Sequence, residues 1–243
     1  MESITELIAE GKGKRLYATD NPEVAMVYYR DETYAFHGLK KGRIIGKGEI
    51  NNLICEYIFT LLDSNGVPNH FLKRVDNRCS LVRRVEMIPV MLKVRNIVAG
   101  SLAERTGLPE GTRLGNTVLE FCLKDSELDD PLVNLTHLTA LGIATKEEVR
   151  RMEEIAREVN RILGECMREI SIELIDFALE FGRFHGEILL ADEISPDTCR
   201  FWDAKTHEPL DIDRFRRDLG NAEEAYREIL HRLTGNVLKS SEE

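Results

Sequence analysis

Residues 7–36 alternate apolar and polar positions in the manner of β-strands, with Leu16-Tyr17, the run 24–29 and Tyr34-Ala35-Phe36 as apolar segments. A Gly-Lys turn at 11–14 separates the first two segments. The period then changes. Ile50, Leu53, Ile54, Tyr57, Ile58, Leu61 and Leu62 recur at three- and four-residue spacing, which predicts a helix over 48–65. Strand patterns resume at 69–75, 79–86 and 90–96, and again at 118–123 ahead of an acidic turn at 125–130. Thr145-Lys146-Glu147-Glu148 reads as a capping box that opens a long helix running to about Met167. Two neighbouring strands follow, turning through Arg183-Phe184-His185-Gly186-Glu187, the first carrying Asp176 and Glu180 and the second Asp192 and Glu193. Residues 211–233 predict one amphipathic helix of mixed charge, and 239–243 a frayed tail. The order of elements predicts an α+β fold. A small strand-rich N-terminal lobe, residues 1–85, packs on a larger mixed lobe, residues 86–243, with the boundary near residues 80–90.

Composition narrows the function classes. With 243 residues, 42% of them hydrophobic, the chain can bury a sizeable core. A net charge of -10 argues against nonspecific binding to nucleic acid or to acidic membranes, while leaving room for a local basic pocket. No uninterrupted apolar run is long enough to span a bilayer. Met1-Glu2-Ser3-Ile4-Thr5-Glu6 is acidic and lacks the basic-then-apolar order of a signal peptide. The five cysteines, Cys55, Cys79, Cys122, Cys166 and Cys199, are widely spaced and contain no Cys-x-x-Cys pair, which fits reduced core thiols. These properties predict a cytoplasmic globular protein, with neither nucleic acid nor membrane as partner.

Five segments carry candidate chemistry. Strand alternation puts Asp176, Ala178 and Glu180 on one face, with Asp192 and Glu193 on the neighbouring strand. Carboxylates crowded in an apolar setting repel one another unless a cation neutralises them. Magnesium carrying nucleotide phosphates would do so; the plainer reading is a pair of solvated strands with incidental acids. In Glu10-Gly11-Lys12-Gly13-Lys14, glycines let backbone approach a phosphate and two lysines supply charge, although many surface hairpins look alike and the Walker A spacing is absent. Arg95 with Ala99-Gly100-Ser101 would surround one phosphate, Arg95 forming two parallel hydrogen bonds, or Arg95 is a structural ion-pair former. Arg200 adds a second arginine after the acidic strand, and the turn from Lys124 to Pro131 brings further carboxylates or is a solvated loop.

Together these segments resemble the phosphoribosylaminoimidazole-succinocarboxamide synthase (SAICAR synthetase) family over nearly the whole chain. The matching residues are Glu10-Gly11-Lys12, Lys14, Tyr17, Lys47-Gly48, Asn51-Asn52, Ile88-Pro89, Val94-Arg95-Asn96 and Ala99-Gly100-Ser101. They continue through Lys124-Asp125, Asp130-Pro131, Asp176-Phe177, Glu180-Phe181-Gly182, the stretch 191–200, Trp202-Asp203, Asp211 and Phe215-Arg216. The resemblance implies a two-lobed fold with ATP in the cleft between lobes. It also implies ligation of aspartate to the carboxylate of carboxyaminoimidazole ribotide through an acyl phosphate, with ATP and Mg2+ required. Gly11, Lys12, Lys14 and Glu86 would then serve ATP, and Glu180 and Asp192 magnesium. Arg95, Ser101 and Arg200 would hold the ribose 5-phosphate, while Asp176, Asp130 and Lys124 act on the organic substrates. Relatives of this kind form homo-oligomers, which is the expectation here.

The chain departs from the family pattern at several motif positions. Ala178 replaces the lysine of Asp-x-Lys-x-Glu-Phe-Gly, and Met91 the acid that follows Ile-Pro-x. His37 stands in Ala-Phe-Asn-Gly and Ser126 in the Lys-Asp-Asp turn; Ala9 and Tyr34 also differ. His37 is either a new acid or base or a polar surface residue. Three readings follow. The first is the ordinary ligase. The second is a diverged paralogue acting on a phosphoribosyl-imidazole or purine-type nucleotide without aspartate, as in pentostatin- and coformycin-type pathways. The third is a nucleotide sensor without turnover, against which the retained acids Glu180, Asp192 and Glu193 argue. The ordinary ligase is the reading taken.

Overall fold

The computed structural model of the chain describes residues 3–35 and 38–235, so His37 and the tail 239–243 lie outside the described residues. The chain opens with strands β1 (Ile4–Glu10), β2 (Lys14–Thr19), β3 (Val24–Tyr29), β4 (Glu32–Ala35) and β5 (Lys40–Arg43). Helix α1 (Lys47–Ser64) and strands β6 (Phe71–Arg74) and β7 (Cys79–Arg83) follow. After them come β8 (Glu86–Ile97), α2 (Ser101–Thr106), β9 (Arg113–Leu123), β10 (Leu132–Val133), α3 (Leu135–Ala140) and α4 (Lys146–Glu169). The C-terminal part holds β11 (Ile172–Phe184), β12 (Glu187–Ala191), β13 (Cys199–Asp203), α5 (Asp213–Arg216) and α6 (Ala222–Thr234). The α+β expectation holds.

Two sheets organise these elements. The first runs β1-β2-β3-β7-β6, and the second β10-β9-β8-β11-β12 with β13 also paired to β11; β4 and β5 form a separate ribbon. Strand β11 is long enough to serve two partners on one edge. Its first half, from Ile172 to Phe177, pairs with β13, and its second, from Glu180 to Phe184, with β12. Along its other edge it pairs with β8, so that Asp176 faces Arg95, Ala178 faces Lys93 and Glu180 faces Met91.

The helices form where the periodicity predicts them. Ile50, Ile54, Ile58 and Leu62 of α1 are buried, and the helix packs on α6 and β3. In α4, Thr145 accepts the Glu148 N–H at 3.1 Å while the Glu148 carboxylate accepts the Thr145 N–H at 2.8 Å, so the capping box is formed. Met152, Ile155, Val159 and Leu163 carry its buried stripe against β11.

Three expectations need correction. The stretch 211–233 is two helices, not one. Buried Asp211 accepts the backbone N–H of Phe201 and of Asp213, pinning the start of α5 to β13. The chain then passes through left-handed backbone at Asp218, Gly220 and Asn221, which no helix continues through. The β11–β12 turn is confined to His185 and Gly186, both at positive φ as a two-residue hairpin of the right twist requires, while Arg183, Phe184 and Glu187 belong to the strands. Asp192 and Glu193 lie beyond the end of β12, and Asp192 at φ 64 redirects the chain there. The small elements β5, β10, β13, α2 and α3 carry too few residues for a periodic signal.

Candidate active site

Two cavities lie along β11, one lined at Glu180 and the other at Asp176, Phe177 and Ala178. The first, of about 280 Å³, lies between the two sheets. Leu16, Ala25, Val27 and Val82 of the first sheet, with Val85 and Met87 at the crossing into β8, make its walls apolar. Its other end is charged: Lys14, Lys124, Glu180 and Asp192 line it. An apolar slot with a charged end suits a flat heterocycle attached to phosphates.

The acids at that end come from different places and are held by lysines. Lys14 on β2 lies 2.6 Å from Asp192 and 2.8 Å from Glu193, and Lys124, just after β9, lies 2.6 Å from Glu180. Burial pushes Glu180 up to about 7, with the neighbouring Asp192 charge adding to it and Lys124 opposing. Burial also acts on Asp192, but the Lys14 ammonium outweighs it and holds this carboxyl below its ordinary range. The site therefore keeps one acid ionised and one poised. Behind them the Ser195 hydroxyl donates to Glu193 at 2.7 Å, and Lys47, 1% exposed, pairs with Asp197 at 2.5 Å. The Tyr226 hydroxyl donates to the other Asp197 oxygen. Burial lowers His70 to about 4, so its ring is neutral and its Nε2–H donates to the Asp192 carbonyl at 3.0 Å, bracing the turn that presents this acid.

The second cavity, of about 320 Å³, is lined by β8, β11, Ser101 and the segment 197–200. Its polar frame is an arginine and aspartate lattice. Asp176 receives Arg95 at 3.0 Å and both Arg200 contacts at 2.9 and 3.0 Å. Arg95 continues to Glu120 at 2.6 Å and to the Ser101 hydroxyl at 2.9 Å; Arg200 continues to Asp213 at 2.7 Å, which also holds Arg216 at 2.7 Å. Gly100 sits under this lattice at φ 50, where a Cβ would lie 2.6 Å from an Arg200 nitrogen, so only glycine admits the guanidinium.

The sequence-derived candidates divide accordingly. Gly11, Lys14, Lys124, Glu180 and Asp192 line the first cavity, and Arg95, Ser101, Asp176 and Arg200 the second. Three others stand outside both walls. Lys12 is exposed in the turn after β1, the Glu86 carboxylate meets Arg183 at 3.2 Å, and Asp130 accepts the Asp125 N–H within the 125–130 turn. Sequence reasoning assigned no role to Lys47, His70, Lys93, Asp197 or Asp213. Lys47 and Asp197 lie inside matched motifs, whereas Lys93 and Asp213 carry no local signal.

Glu180 and Asp192 fit a magnesium ion. Among the described residues no group of three or more His, Cys, Asp or Glu is arranged to hold a metal. Two carboxylates beside a phosphate-sized space are what magnesium takes from protein when a nucleotide completes its shell.

Comparison with known proteins agrees along the chain. Residues 7–233 match the family model for SAICAR synthetase. The chain is 53% identical over 233 residues to the phosphoribosylaminoimidazole-succinocarboxamide synthase of Brevibacillus brevis, covering 96% of this chain and 98% of that protein. To the enzyme of that name from Clostridium acetobutylicum it is 51% identical over 230 residues, with 95% and 98% covered. Among solved structures it is similar to the synthase from Ehrlichia chaffeensis, with a TM-score of 0.93 at 38% identity over 95% of this chain and 99% of that one. A SAICAR synthetase in complex with ADP gives a TM-score of 0.92 at 44% identity over the same shares. Likeness of this extent, in sequence and in backbone alike, means that the chain belongs to the SAICAR synthetase family.

Proposed function

We propose that this chain is an ATP-dependent ligase that joins aspartate to the carboxylate of carboxyaminoimidazole ribotide, releasing SAICAR, ADP and phosphate. One observation carries the reading. Asp176, Ala178 and Glu180 share one face of β11, so a single rigid strand spans from the arginine cavity to the acidic end of the cleft. At about 3.3 Å per residue that is roughly 13 Å, which sets a nucleotide's terminal phosphate beside the reacting end of a ribotide.

In this reading lobe 1–85 closes on lobe 86–243 over ATP. The apolar slot takes the adenine, and Lys14 and Lys124 neutralise phosphate oxygens, releasing Asp192 and Glu180 from their present ion pairs. Those two carboxylates would hold Mg2+, which supplies positive charge to the transferring phosphoryl group. Arg200 and the Ser101 hydroxyl bind the ribotide phosphate, with Arg95 fixing Ser101 from behind and Asp176 aligning both arginines. Gly11 lets the backbone approach the phosphates, and Lys12 follows when the hairpin closes. Asp130 keeps the turn after Lys124 in shape, and Glu86 shapes the crossing between the lobes. The carboxylate becomes an acyl phosphate, the amine of aspartate attacks it, and phosphate leaves. Excluding water protects that intermediate.

The test is ADP release by the purified protein with magnesium-ATP and the ribotide, with and without aspartate. Aspartate-dependent ADP with a succinocarboxamide product is expected. Ribotide binding with no aspartate-dependent turnover would overturn the reading.

A further inference from the structure

We infer that Lys93 is the cation that a substrate carboxylate meets in the second cavity, on the rung of β8 that faces Ala178. This rests on the proposed ligase chemistry for the identity of the anion, not for the presence of the charge. Lys93 and Ala178 form a rung of the antiparallel β8–β11 ladder, and both line the cavity. Side chains on one rung point to one face with their Cβ atoms about 5 Å apart. Lys93 and Ala178 therefore share one wall of the cavity. The next rung is Met91 with Glu180. Met91 and Ala178 are thus diagonal neighbours, and the acid and the lysine that the family pattern has at these two positions are absent together.

Lys93 is set apart from the other cations of the cavity by what surrounds it. Arg95 is engaged by Asp176 and Glu120, Arg200 by Asp176 and Asp213, and Arg216 by Asp213. Glu120 faces Lys93 across the β8–β9 ladder but is held by Arg95 and Arg105. Asp197 is held by Lys47 and Tyr226. Among the described residues no carboxylate forms an ion pair with Lys93, whose ammonium lies beside the Cys122 thiol. A half-buried lysine with no carboxylate partner, on the wall of this cavity, is an attractive place for a carboxylate. It would also stabilise charge growing on that group as it is phosphorylated and then attacked.

The carboxylate is either that of the ribotide or one belonging to aspartate, and titration separates them. With Lys93→Met, calorimetry of ribotide binding without ATP or aspartate should weaken roughly 10- to 100-fold, the size of losing a hydrogen bond to a charged group. If instead ribotide affinity holds and KM for aspartate rises by that factor, the group belongs to aspartate. ADP affinity, measured alongside, should stay within a factor of about two and reports folding. The relocation variant Lys93→Ala with Ala178→Lys moves the ammonium across the rung and should recover what Lys93→Ala loses. Unchanged ribotide affinity and aspartate KM in Lys93→Met overturn the inference. So does a relocation variant that binds ADP but recovers nothing. The ligase reading fails separately, when the unmodified protein shows no aspartate-dependent ADP release; a Lys93-dependent ribotide affinity would survive that result.

Discussion

Lys14 on β2 and Asp192 after β12 are separated by 178 residues and meet at 2.6 Å. The contact ties the first sheet to the second at the charged end of the cleft, and Glu193 at 2.8 Å shares the ammonium. Replacing Lys14 by Met leaves two acids without it. A fully buried pair broken in this way costs roughly 3–5 kcal/mol; here the side chains keep 19% and 28% of their exposure, so a loss of about 1–3 kcal/mol is expected. Urea unfolding should register it, and ADP affinity should fall by at least about tenfold. Undiminished ADP binding would remove Lys14 from the phosphate site.

Glu180 gives the nucleotide-free protein a signed pH dependence. Its carboxyl sits at about 7 in the fold, through burial first and Asp192 second, above its ordinary 4.5. Between those values the folded chain retains a proton that the unfolded chain releases. The stabilising contribution is complete below about 4.5 and is lost as pH rises through 7. Glu180→Gln should therefore flatten the decline of Tm over pH 5–8 while abolishing ligase turnover. An equally steep decline in the Gln variant would show that another group titrates.

Gly182 admits Val85 against β11 where the chain crosses into β8. A Cβ there would lie 2.7 Å from the Val85 Cβ and 3.1 Å from the Glu86 carbonyl. Gly182→Ala should cost about 1–3 kcal/mol by overpacking and, because Val85 lines the first cavity, weaken ADP binding as well. A variant with unaltered Tm and ADP affinity would mean that the crossing yields freely.

Thr145→Ala serves as the counterpart far from the chemistry. It removes the cap of a 24-residue helix and should lower stability by about 1 kcal/mol with kcat/KM unchanged. A matching loss of turnover would reveal coupling between α4 and the cavities.

Much of this architecture was legible because it is local. The spacing of Ile50, Ile54 and Ile58, the Thr145 and Glu148 box, and the alternation of Asp176, Ala178 and Glu180 each express a periodicity of the chain itself. The break between α5 and α6 was marked only by Gly220-Asn221 within an otherwise amphipathic run, and the burial of Asp211 that fixes it depends on β13. Glu86 and Asp130 lay in the right segments, but where their carboxylates turn is decided by Arg183 and by the backbone of Asp125. Lys47 and Asp197, 150 residues apart, could be singled out by motif but paired only in space.

The rung between Lys93 and Ala178 bears on how a site of this kind changes over generations. Two residues that face each other across a ladder share a location although 85 positions separate them, so a charge can cross from one strand to the other without leaving the cavity. At this wall of the cavity the cross-strand pair of positions, not either letter alone, sets where a charge can stand.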